Sequence, residues 1–143
     1  MSGSEAQAEA EELVNAVLPQ VEGMLIAHGQ FFPFGGALTL SGEIAELAVG
    51  EEHQDSSVET VVAALKGLLR GGAPGYRATA LAFPVEAELP GRESASDAVA
   101  IALDHRADFS VVLIVPYVLL EGAVQFGEAV AQEGTHDIFG ARH

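Results

Sequence analysis

The stretch Phe109-Ser-Val-Val-Leu-Ile-Val-Pro-Tyr-Val118 decides how this chain is to be read. Val111, Leu113 and Val115 fall on one side of an extended backbone, and Val112 and Ile114 fall on the other. A strand apolar in both phases is one buried on both faces, and such a strand belongs at the centre of a sheet. The apolar run through Leu120 contains Pro116 and is about half as long as a membrane-spanning helix requires.

Working outward, Asp97 to Arg106 alternates, with Val99, Ile101 and Leu103 on one face, and Ala107-Asp108 turns it into the central run. Before it, Tyr76 to Glu88 reads as a strand in which Pro84 marks a bulge or an edge position. After it, Gly122 to Gln132 supplies a last strand, and Gly134 to His143 is a tail. The N-terminal half is helical in pattern. From Ser4 to His28, Ala10, Leu13, Val14, Val17, Leu18, Val21, Met24 and Leu25 make one stripe. Gly29 stops that helix, and Pro19 is expected to kink or divide it. Ala37 to Leu40 and Glu43 to Val49 flank the hairpin signal Ser41-Gly42. A second helix runs from Ser57 to Arg70, with Ser56 and Glu59 as a capping box and Gly71 to Gly75 as its stop.

This order predicts a single α+β domain over residues 1–143. Its core is an antiparallel sheet of about five to six strands with two helices packed on one face, in the order α-β-β-α-β-β-β(-β).

Composition narrows the function. Asp and Glu number 21 against 6 Lys and Arg, a net charge of −15, while 49% of residues are hydrophobic and mean hydropathy is +0.29. That is a folded acidic protein rather than a disordered one. Phosphate-tracking surfaces need clustered Lys and Arg, so nucleic acid and anionic membranes are not expected partners. A basic protein partner is compatible with the charge, as is acidity that serves solubility alone. No cysteine is present, so the fold stands without disulfides. The acidic start lacks the features of a signal peptide, and a cytoplasmic location is expected.

Phe32-Pro33-Phe34-Gly35, Ser41-Gly42-Glu43, Leu103-Asp104-His105-Arg106, Pro116-Tyr117 and Phe126-Gly127-Glu128 resemble phrases of a group of small uncharacterised bacterial proteins. The likeness spans residues 31 to 139 and implies a shared fold, with no activity or site attached. In element order the chain also resembles profilin-like and roadblock-like modules, and more loosely cystatin-like domains and sensors of the PAS type. Solitary small domains of this sort serve as accessory, immunity or regulatory partners.

The reacting groups are sparse. Glu51, Glu52, His53 and Asp55 share one loop, but without the ordered ligand spacing of a calcium loop they read as a solvated lead-in to a helix. Asp104 and His105 are strand neighbours and point to opposite faces, so they do not pair with each other, and Asp104-His105-Arg106 reads as the surface of a hairpin. His28, His53 and His136 stand alone. The serines lack a nucleophile motif, and the glycines at 71, 72 and 75 follow a helix, whereas a phosphate loop precedes one. No catalytic, metal or cofactor residue is therefore assigned.

The suggestive group is aromatic: Phe31, Phe32 and Phe34, with Tyr117 and Phe126. It is open to two readings, an interface or pocket lining and a seal at one end of the core. The leading expectation is a non-enzymatic protein-interaction module that includes self-association as a homodimer. The alternatives are a small-molecule sensor with a pocket lined by Phe34, Phe83, Tyr117 and Phe126, and an enzyme using Glu43, Glu86 or Glu128.

Overall fold

Every fourth or third residue of the first helix is apolar, and that spacing turns one stripe toward a sheet. The computed structural model describes residues 2–29, 31–47, 57–87, 96–106, 109–134 and 138. The acidic loop with Glu51, Glu52, His53 and Asp55 lies outside the described residues, as do Ser56, the loop 89–95, the Ala107-Asp108 turn and His136. Helix α1 spans Ser2–His28, and Ala10, Leu13, Val17, Val21 and Leu25 are its buried stripe. It runs through Pro19 as one element. Proline withdraws the hydrogen bond to the carbonyl four residues earlier, which is that of Asn15; both residues are exposed, so water can take it. Gly29 ends the helix in the left-handed region at φ 75°, its N–H donating to the Leu25 carbonyl at 2.8 Å.

Strands β1 (Phe34–Thr39) and β2 (Ile44–Leu47) form the first hairpin. Its loop is Leu40-Ser41-Gly42, three residues rather than two. Gly42 sits at φ 92°, and the Thr39 N–H donates to the Glu43 carbonyl at 2.8 Å. Helix α2 (Val58–Gly72) is capped by Ser57, whose hydroxyl accepts from the Thr60 N–H at 3.2 Å. A short 3₁₀ turn, Ala73–Gly75, leads into β3 (Tyr76–Ala87), β4 (Ser96–His105), β5 (Phe109–Leu120), β6 (Ala123–Phe126) and β7 (Val130–Glu133).

All strand pairs are antiparallel, in the order β2-β1-β3-β4-β5-β6, with β7 also on β5. The carbonyls of Ser110 and Pro116 point to one edge of β5 and accept from Gly134 and Gly127. Strands β6 and β7 therefore run in succession along that edge as one interrupted border. Pro84 lies past the end of the β1 pairing at Ala82, where β3 is locally an edge, and the register with β4 is unbroken there.

The α+β class, the antiparallel sheet and the element order stand as expected. The placement of α2 differs. Glycines 35 and 36 are strand neighbours: a Cβ on Gly36 would meet Val17 and Leu13 of α1, and one on Gly35 would meet Leu69 of α2. The helices therefore cover opposite faces. Ala78, Ala80 and Ala82 of β3, with Val99, Ile101 and Leu103 of β4, pack under α1. Ala37 and Leu81, with Leu47 and Phe83 beside them, pack under Val61, Leu65 and Leu69 of α2.

The expected centre of the sheet also moves. Strands β3 and β4 occupy the middle, and β5 is next to the border. Its Val111 to Ile114 are half-buried, and Val118 to Leu120 are exposed.

Candidate functional site

The alternation along β5 sorts the aromatic candidates. Tyr117 pairs across the border with Phe126, and both turn to the α1 side, packed against the core that holds Phe31 and Phe34. Phe31 is 3% exposed and Phe34 6%, so these two are core. Burial, and then the charge of Asp97, push the Tyr117 hydroxyl above its ordinary range. Phe32 alone of the five points outward, at 48% exposure. Phe31 and Phe34 are thus in the α1 layer, and Phe32 is on the surface. Tyr117 and Phe126 are at the half-buried border of that layer, where Phe126 also lines an open cleft of about 230 Å³ with Asn15, Leu18, Pro19 and Glu22.

The pocket of the sensor reading does not assemble from its four residues. Phe83 lies on the α2 side of β3, whereas Phe34, Tyr117 and Phe126 face α1. A cavity between α2 and the sheet, reached by Lys66, Asp104, Ser110 and Ile138, holds about 40 Å³. Pockets for small ligands run to roughly 300–1,000 Å³. Glu43, Glu86 and Glu128, the acids of the enzyme reading, are all exposed.

The end of β4 is not the exposed hairpin surface expected from the sequence: Asp104 is 5% and His105 6% exposed, and a polar cluster forms there. Glu9 of α1 reaches the sheet, with Oε1 2.8 Å from His105 Nε2 and Oε2 accepting from Arg77 at 2.9 Å. Burial alone would raise the Glu9 carboxyl. The hydrogen bonds and charges of His105 and Arg77 overcome this and hold it below the ordinary carboxylate value. On the opposite face of the same strand end, Asp104 Oδ2 accepts from the Ile138 N–H at 2.7 Å. The end of β4 therefore fastens α1 with one residue and the C-terminal segment with the next. Both oxygens of Glu9 are engaged within the fold, which makes this cluster a clasp.

One signal for it existed. Glu9 sits four residues before Leu13, in line with the buried stripe, and His105 shares the core-facing phase of Val99, Ile101 and Leu103. A charged residue at a core-facing position needs a partner.

The remaining surface of interest is the outer part of the sheet on the α2 side. Val112, beside Ser110, is roofed by Lys66 of α2 and by Ile138, whereas Val118 and Leu120 of β5 and Val130 of β7 lie beyond that cavity. Val118 is 43% exposed, Leu120 51% and Val130 45%. No helix among the described residues is long and apolar enough to cross a membrane. Comparison with protein-family models, with curated proteins and with solved structures gave no match.

Proposed function

We propose that this chain is a non-enzymatic protein-interaction module, an accessory, immunity or regulatory partner of another protein in a bacterial cell. The observation that carries the reading is the outer third of the sheet, where Val118, Leu120 and Val130 stand exposed beyond the part that α2 and Ile138 cover. Exposed apolar side chains grouped on one face of a sheet support an association site there. The reading locates binding at the β5–β7 border rather than at the aromatic group, because Phe31 and Phe34 are in the core.

A photo-crosslinking residue at Val118, introduced in the cell of origin, is expected to give a discrete protein adduct. The same residue at the exposed Glu11 of α1 serves as the reference. Equal, diffuse labelling at the two positions would overturn the reading.

A further inference from the structure

The cleft between α1 and β6 combines an aromatic wall with hydrogen-bond acceptors. Phe126 is its contribution from the sheet, and Asn15, Leu18, Pro19 and Glu22 recur at the spacing of one helix face. Pro19 changes what that face offers. It has no N–H, so the Asn15 carbonyl makes no bond along the helix and is left as an acceptor at the cleft. The Asn15 amide oxygen is a second acceptor and the Glu22 carboxylate a third. Glu22 is half-buried, so its charge acts through less water than that of a fully exposed acid.

The negative potential continues along the sheet. Strand pairing sets Glu86 opposite Asp97, and Tyr117 opposite Phe126. One step past the pair Ala98 and Pro116, Asp97 stands opposite Tyr117. All four share the phase of Ala82, Val99 and Val115, which face α1. The described bases lie elsewhere. Lys66 and Arg70 belong to α2, Arg77 is bonded to Glu9, and Arg106 follows His105 at the far end of β4.

An anion is repelled from such a cleft. A neutral apolar group would take water from Glu22 and from the free carbonyl without replacing it. A guanidinium meets every group at once: its plane stacks on the Phe126 ring, and its N–H donors match a carboxylate and a carbonyl. The cleft of about 230 Å³ is below the roughly 300–1,000 Å³ of pockets that enclose whole ligands, and it is open. It suits a side chain presented by a larger body.

We propose that the cleft between α1 and β6 receives an arginine side chain of a protein partner. The proposal rests on the interaction reading above and names the residue that the partner brings to the same border, on the side opposite Val118 and Leu120.

NMR titration of the whole protein with N-acetyl-arginine amide tests this, with N-acetyl-citrulline amide as the uncharged probe of the same shape. The expected result is saturable shifts centred on Leu18 and Phe126 with the arginine probe, and none with the citrulline probe. Glu22→Gln is expected to raise the dissociation constant at least about threefold. Glu11→Gln removes the same charge from an exposed position of α1 and should leave that constant unchanged. Phe126→Leu, which keeps an apolar side chain and removes the ring, is the second variant and should also weaken binding. Equal shifts with the two probes, shifts spread over the acidic surface, or a constant indifferent to both Glu22→Gln and Phe126→Leu overturns the proposal.

The crosslink at Val118 separates that failure from failure of the interaction reading. A discrete adduct at Val118 with no arginine-specific binding at the cleft ends the arginine assignment alone. Absence of both ends both readings.

Discussion

Phe32 and Phe34, two residues apart, have opposite energetic roles. Phe34 is buried in the α1 layer, and Phe34→Ala is expected to cost about 3–5 kcal/mol through lost transfer energy and a cavity. Phe32 is 48% exposed, and Phe32→Ala is expected to change stability by no more than about 0.5 kcal/mol. Urea denaturation of the two variants checks both values, and a reversed ranking would show that the helix-to-strand connection is misplaced. Glu9 makes a pH-dependent contribution. Its folded carboxyl lies below the unfolded value, so its stabilisation is present above the unfolded value and lost as pH falls through the folded one. The stability difference between the natural protein and Glu9→Gln should therefore shrink as pH drops from about 6 to about 3. A difference that grows on acidification would exclude an ionised Glu9 as the group that holds His105 and Arg77. The aromatic cluster was legible in the sequence as a cluster, but which rings face water depends on the path of residues 31–34, which no periodicity sets. The clasp was half legible: Glu9 and His105 each stand in a core-facing phase, and only the fold shows that they meet.

At the scale of elements, the helices and strands follow from periodicity and punctuation, while their layering depends on side-chain size. Strand β5 has the largest apolar residues in both phases and so reads as the centre. The centre belongs instead to β3 and β4, where Ala78, Ala80, Ala82, Ala98 and Ala100 are buried because small residues let the sheet be covered closely. Helix α2 has its own stripe, but a stripe does not say which face of a sheet it meets. The adjacent positions 35 and 36 report it, because a Cβ at the first would touch Leu69 of α2 and one at the second would touch Val17 and Leu13 of α1. The border of the sheet depends on one further glycine. A Cβ on Gly134 would overlap Ser110, and the Gly134 N–H donates to the Ser110 carbonyl at 3.2 Å. Gly134→Ala should cost about 1–3 kcal/mol and loosen β7 from β5. Amide hydrogen exchange would show faster exchange confined to the β7 border, and unchanged protection there would contradict the close approach.

For the whole molecule, net charge limits the partners and the exposed apolar side chains suggest where one would sit. Twenty-one acids and six bases give no stripe for phosphate, and no retention of DNA or RNA is expected at about 150 mM salt. A micromolar complex in a filter-binding assay would contradict that. With α1 on one face and α2 over only part of the other, the outer third of the sheet is left with Val118, Leu120 and Val130 exposed. The exposure of that outer face is the central claim. The most direct measurement is methyl NMR of the dilute protein with a neutral paramagnetic agent in solution and the Val and Leu methyls assigned. Broadening should be strong at Val118, Leu120 and Val130 and weak at Leu13, Val17 and Leu25 of the α1 layer. Protection of Val118, Leu120 and Val130 equal to that of the α1 layer would contradict the exposure of this face.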